Sequence, residues 1–302
     1  MSKRFMHIAA LLFAFSLIAA ACGDSGTTAA GSSTSTTAAP TTKAPAAASG
    51  LPDLGGRTVT VAIENAYLPF NYIDPATNEG GGWDYAAIGE ICVRLNCTPD
   101  FVSAAWDGMI VSVGDGQYDM AADGITITAD RAKVVDFSDG YINIDQRMLV
   151  RVDETRFSTP EELAANADLR IGSQVGTTNY DTASNLVGAD RVDAFDQFGF
   201  AVQALIAGDV DAVIMDETAG QGYVGENAND VKLAGGSLSS DQLGFIFPQG
   251  SDLVDPFNQA IAAMKDDGKL AEISTQFFGD SFTITYDDIA DVNYDTTTTV
   301  AG

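Results

Sequence analysis

Three carboxylates, Glu64, Asp123 and Asp216, each close an apolar or β-branched run that reads as a strand. Ligands of open α/β sheets collect at the carboxyl ends of strands, so the coincidence points to a site. Arg131 ends the polar loop that Asp123 begins. Taken alone, Arg131 could equally be a surface arginine paired with Asp130 or Asp136, and Asp216 could cap a helix starting at Glu217. The single histidine, His7, lies in the leader, which excludes chemistry needing histidine as base or nucleophile activator. Of the three cysteines, Cys92 and Cys97 stand five apart, a spacing that outside the cytoplasm favours a disulfide. A zinc site would need two further ligands, so no metal is expected.

The elements that must position these residues alternate. Arg57 to Glu64 (RTVTVAIE) reads as a strand, Asn65 to Asn71 as a loop broken by Pro69, and Trp83 to Leu95 as an amphipathic helix. Thr98 to Val102 is a strand, Trp106 to Val113 a helix stopped by Gly114-Asp115-Gly116, and Tyr118 to Ala122 a strand. The second half repeats the rhythm. Strands at Leu169–Gly172, Arg191–Phe195, Val210–Met215 and Leu243–Pro248 are accompanied by helices from Tyr180 and over Gln197–Ala207, and Leu253–Gly279 after them holds two more helices. Strand and helix in alternation predict an α/β fold with wound sheets.

Outside this core the chain changes character. Lys3 and Arg4, an apolar Phe5–Ile18 and Ala19-Ala20-Ala21 before Cys22 read as a secretory signal over 1–21. The pattern resembles a bacterial lipobox with Cys22 as the lipidated residue, although Ala19 stands where leucine is usual. Residues 22–50 are nearly all Ser, Thr, Ala, Gly and Pro, too polar to offset their ordering entropy. As a tether of about 28 residues they would reach roughly 30 Å. Residues 286–302 read as a flexible tail. Lys+Arg number 15 against 42 Asp+Glu; without Lys3 and Arg4 that is 13 against 42, a formal charge of −29. Such a field disfavours nucleic acid as a partner and attracts cations.

Several segments in order carry a family resemblance: GGWDYAAIGEICVRL, WDGMIVSVGDGQYDMAADGITITADRAKVVDFSDGY, GTTNYD, GDVDAVIMDETA, LGFIFPQGSD and a terminal FFG. Residues 51 to 280 resemble the extracellular solute-binding proteins of polar amino-acid ABC importers (solute-binding family 3). The resemblance implies a two-lobed periplasmic-binding-protein-like (type II) fold with two crossover strands. Lobe one would be 51–143 with 240–285, and lobe two 144–239. The crossings would lie near Tyr141–Asp145 and Leu238–Gln242.

The same resemblance assigns roles. Arg131 matches the arginine that takes an amino acid's α-carboxylate, for which a planar guanidinium offers two parallel donors. Gly124 and Thr126 match loop positions giving backbone groups and a hydroxyl, and Thr178 the opposite lobe's donor. Asp216 matches the acceptor for the α-ammonium. Tyr67 and Trp106 match two aromatic walls around the ligand's stem. Glu64 matches an acidic position that holds a polar or cationic side-chain end, and between aromatic faces it would suit a guanidinium or ammonium. Asp123 departs from the small residue usual there and could face solvent. Basic-amino-acid members often bridge the end of this helix, as Cys92 and Cys97 would, with a longer spacing.

The expected function is therefore capture of a free amino acid, basic such as arginine first and glutamine next, by hinge closure without catalysis or cofactor. The partners implied are a membrane permease of an ABC importer and the membrane itself through a lipid anchor. The protein would be a monomer on the extracytoplasmic face of the bacterial cell membrane, in the periplasm or cell-wall space. Two rivals stand beside this: a cyclohexadienyl or arogenate dehydratase-like enzyme using Glu64 or Asp123 as proton donor, and a ligand-sensing receptor component.

Overall fold

Alternating β-branched residues make Arg57–Ile63 a strand that buries Val59, Val61, Ala62 and Ile63. In the computed structural model, which describes residues 50–279, this strand belongs to a five-stranded sheet. Across that sheet the order is Cys97–Ser103, Arg57–Ile63, Met120–Ala121, Ile246–Pro248 and Val135–Phe137. The first three are parallel, and Ile246–Pro248 is antiparallel to both its neighbours. The expectations for the signal segment, Cys22, the tether and the terminal tail concern residues outside the described range, apart from Gly50.

A second five-stranded sheet runs Val192–Phe195, Ile171–Gln174, Ala212–Asp216, Ile142–Arg151 and Val231–Leu243. Its first three strands are again parallel, while Ile142–Arg151 and Val231–Leu243 form a long antiparallel pair. That pair joins the two halves. The chain leaves the first sheet after Phe137, enters the second at Ile142, and comes back from Leu243 to Ile246. Asn143 faces Gln242 and Asp145 faces Ser240 across the pair. The architecture is two α/β lobes joined by two crossing strands.

The helix Trp83–Leu95 buries Trp83, Ala87, Ile88, Ile91, Cys92 and Leu95 on one stripe and ends at Asn96, which turns left-handed at φ 53. The sulfurs of Cys92 and Cys97 are bonded just beyond that turn. Aromatic rings build the core under the cleft. Trp83 stacks on Tyr141 at 4.7 Å, Tyr141 lies 4.5 Å from Phe245, and Phe278 lies 5.2 Å from Phe70. Ring pairs at such separations add to the burial of their area. Among the described residues no helix is long and apolar enough to cross a membrane.

Three local expectations change. The segment read as a loop before Asn71 contains the strand Ala66–Tyr67, which pairs with Asn71–Ile73 and, through it, with Gly80–Gly81. Pairing satisfies backbone groups that a loop packed on the lobe would leave bare. The helix expected from Trp106 starts only at Met109, because Gly108 adopts a left-handed φ of 84 in front of it. Conversely, the helix expected from Tyr180 begins at Thr178. The Thr177 hydroxyl accepts from the Tyr180 backbone N–H and caps it.

Candidate functional site

All nine residues singled out for a ligand (Glu64, Tyr67, Trp106, Asp123, Gly124, Thr126, Arg131, Thr178 and Asp216) line one cavity between the lobes. Gly124 shows why sequence and shape agree here. Its φ is +56, and a Cβ on it would fall 2.7 Å from the ring of Tyr67.

Arg131 is held without an ionic partner among the described residues. One guanidinium nitrogen donates to the Thr126 carbonyl at 2.8 Å, another to the Gly176 carbonyl at 3.3 Å, and the group lies 5.3 Å from the Trp106 ring centre. The neighbouring carboxylates are engaged elsewhere. Asp130 pairs with Lys133, and Asp136 accepts from the backbone of Gly250. Burial presses the Arg131 pKa downward, against the pull of Asp216, Asp181 and Asp241. Beside it begins the helix Thr178–Val187, whose first N–H groups add positive potential. Thr178 Oγ1 sits 3.3 Å from Thr126 Oγ1 on the other lobe and accepts from Gln146 Nε2 at 3.0 Å. Gln146 also donates to Asp241, so the threonine is braced by both crossing strands. Chemically, such a set of donors can receive an anion.

Asp216 ends its strand, 2% exposed, and precedes the helix Glu217–Glu226. Its side chain makes no capping hydrogen bond. Instead it accepts from the Tyr67 hydroxyl and, at 3.2 Å, from Asn179 Nδ2. Burial raises its pKa to about 6, although those two donors oppose the shift. Asn179 is 3% exposed and its Oδ1 has no hydrogen-bond partner among the described residues. Carboxylate and amide oxygen together form an acceptor corner suited to an ammonium.

Tyr67 stacks on Phe70 at 5.3 Å and on Phe198 at 5.4 Å, so the aromatic wall is shared by both lobes. Trp106 stands as the other aromatic lining residue. At the remaining end lie acids. Glu64 accepts from Gln174 Nε2 at 2.9 Å across the cleft, and burial raises its pKa to about 7. Asp123 does not face solvent. It is 4% exposed, its Oδ1 accepts from Asn71 Nδ2 at 2.6 Å, and burial drives its pKa well above the usual carboxylate range. Asn71 Nδ2 also donates to the fully buried Asp84 at 2.9 Å, and burial raises that carboxyl to about 7.

Gln174, Thr177, Asn179 and Phe198 also line the cavity and were not anticipated. A signal existed for Gln174, which ends the strand Ile171–Gln174 and so stands where such sheets place ligands. Phe198 opens a helix just after the strand Val192–Phe195, an equivalent position.

Comparison with known proteins bears on the family and the fold. The family model for bacterial extracellular solute-binding proteins, family 3, matches residues 59–280. The L-cystine-binding protein TcyA of Bacillus subtilis (strain 168) is 30% identical over 226 residues, covering 74% of this chain and 81% of its own. Among solved structures, an ancestral arginine-binding protein bound to glutamine superposes with a TM-score of 0.69 at 31% identity, covering 74% of this chain and 98% of that one. An ancestral amino acid-binding protein, a precursor of cyclohexadienyl dehydratase, gives a TM-score of 0.68 at 28% identity, covering 73% and 95%.

Proposed function

The chain belongs to the bacterial extracellular solute-binding proteins of family 3, and on that premise we propose that it captures a free L-amino acid, a basic one before glutamine, for an ABC importer. The observation that carries this reading is the opposition of charges within one cavity. Arg131 and the start of the helix at Thr178 offer donors to an α-carboxylate. Asp216 and the free Oδ1 of Asn179 offer acceptors to an α-ammonium. Tyr67, Phe198 and Trp106 flank the stem.

In this reading lobe one comprises 51–143 and 240–285, and lobe two 144–239. Thr126 and Arg131 belong to the first, Thr178 and Asp216 to the second. A ligand touching both sets makes closure favourable, because only the closed form completes its contacts. The closed form then meets the permease. Cys22 is the acylation site in this reading, and the protein acts as a monomer held at the extracytoplasmic face of the membrane.

The test is a thermal-shift screen against the twenty L-amino acids and L-cystine, followed by calorimetry. A ligand present at 100 times its Kd stabilises the folded form by about 2.7 kcal/mol, a shift that is easily read. Arginine or lysine should give the largest shift. A screen without any amino-acid response would end this reading.

A second reading draws on Glu64, a pocket carboxyl raised to about 7 and therefore able to donate a proton near neutrality. It casts the protein as a dehydratase acting on prephenate or arogenate. Turnover of either by the purified protein would replace binding with catalysis.

A further inference from the structure

Two carboxylates from the first lobe reach the cavity, and they are not equivalent. Glu64 is committed: its Oε1 takes the Gln174 amide from across the cleft, so it fastens one lobe to the other. Asp123 is not. The residue lines the cavity; its Oδ1 is fixed by Asn71 at 2.6 Å, its Oδ2 is buried with no side-chain donor among the described residues, and the Glu64 backbone N–H also acts on the carboxyl.

The setting of Asn71 makes this arrangement rigid. Asn71 Oδ1 accepts from the backbone N–H of Asn65 at 2.8 Å, which fixes the amide so that its Nδ2 faces the acids. That single NH2 serves both Asp84 and Asp123. Asp84 is fully buried behind the cavity, with Oδ1 unpartnered, and is not among its lining residues. Asp123, unlike Asp84, lines the ligand space, and its Oδ2 is a buried oxygen that no side chain among the described residues satisfies. A buried acceptor without a donor costs free energy that a ligand N–H can return.

The charges also separate along the cavity. The acids acting on Arg131 are Asp216, Asp181 and Asp241, whereas those acting on Asp123 are Glu64 and Asp84. The end that would hold a zwitterion's backbone and the end holding Asp123 are thus electrostatically distinct.

We propose that Asp123, rather than Glu64, is the specificity residue of this cavity, and that its free Oδ2 receives the N–H donors of a guanidinium or ammonium at the far end of the ligand's side chain. The inference rests on the amino-acid reading above and assigns the atom that selects among amino acids. A side-chain amide brings fewer donors and no charge, so it satisfies Asp123 less well. Charge on Asp123 must be compensated against Glu64 and Asp84, and the hydroxyls of Tyr67 and Tyr141 also face this cluster. Arrival of a cation therefore ejects a proton from it. A neutral ligand does not.

The experiment compares wild type, Asp123→Asn and Glu64→Gln by calorimetry with L-arginine, L-lysine and L-glutamine. Asp123→Asn should weaken arginine and lysine at least 100-fold and change glutamine less than 5-fold. Glu64→Gln should weaken all three alike. Arginine affinity within 3-fold of wild type in Asp123→Asn overturns the proposal while leaving the amino-acid reading intact. Wild type that binds only neutral amino acids overturns the proposal and the basic-ligand preference together. Should Asp123→Asn not fold, wild type titrated with arginine at pH 7 in two buffers of different ionisation heat decides the matter. Release of about one proton that persists in Glu64→Gln supports the assignment, and release of none, or release lost in Glu64→Gln, overturns it.

Discussion

The hydroxyl of Tyr67 donates to the carboxylate of Asp216, tying a short hairpin of one lobe to the end of a strand in the other. The same tyrosine ring stacks on Phe198 from the second lobe. Tyr67 thus contributes a polar and an apolar contact to closure, and the two can be separated. Tyr67→Phe keeps the stack and removes the donor. A hydrogen bond to a charged acceptor contributes about 1.5–3 kcal/mol, so ligand affinity should fall roughly 10- to 100-fold. The loss should appear mainly as faster dissociation in stopped-flow traces, because the bond holds the closed form together. A slower association with unchanged dissociation would contradict this role.

Arg131 has a different signature. Its guanidinium is held by two backbone carbonyls and the Trp106 face, with no carboxylate on it among the described residues, so it is free to meet an external anion. Arg131→Ala should abolish amino-acid binding in calorimetry while circular dichroism stays unchanged. Arg131→Lys should recover little, since an ammonium cannot reproduce two parallel donors in a fixed fork. Unchanged affinity in the alanine variant would refute the assignment.

The fold was legible in the sequence because strands and helices alternate with clear periods, as the helix Trp83–Leu95 shows. Ends were less legible where a cap or a glycine overrides the apolar pattern, as at Thr177 and Gly108. Arg131 and Asp216 came to the site through the family resemblance, because residue type alone left a surface ion pair and a helix cap open, and both line the one cavity. Asn179 and Gln174 were missed because neutral amides carry no charge signal; Gln174 meets Glu64 only where the lobes meet, and Asn179 bonds Asp216 within its own lobe. Asp123 was placed at the site but its setting was not. No pattern reveals that Asn71, 52 residues earlier, fixes one of its oxygens and leaves the other bare.

Glu64 illustrates a contact that closure creates. Its acceptor faces the Gln174 amide, which also donates to the Asp196 carbonyl. At pH 8, above the raised pKa of about 7, Glu64→Gln turns a charge-assisted bond into a neutral one, worth roughly half as much. Affinity should drop about 3- to 10-fold for arginine and glutamine alike, because the variant loosens the closed form and leaves side-chain recognition alone. A drop confined to arginine, measured by calorimetry, would return the specificity role to Glu64.

The buried acids also set how stability depends on pH. In the folded protein burial raises Glu64 and Asp84 to about 7 and Asp216 to about 6, and lifts Asp123 as well. In the unfolded chain such groups titrate near 4. Between those limits the folded state binds more protons, so stability from this cluster is fully present below pH ~4 and is lost as pH rises toward ~7. Glu154 acts oppositely. Arg156 holds it at about 2, so its contribution is present above its unfolded value and lost on strong acidification. The unliganded protein should therefore melt at a higher temperature at pH 5 than at pH 8. Asp84→Asn, which removes one titrating member, should flatten that slope in melts from pH 4.5 to 8. Arginine should restore stability most at the alkaline end, where the cluster is charged and a cation compensates it. A melting temperature that climbs steadily with pH without ligand, identically in both proteins, would show that these acids are not protonated in the folded state.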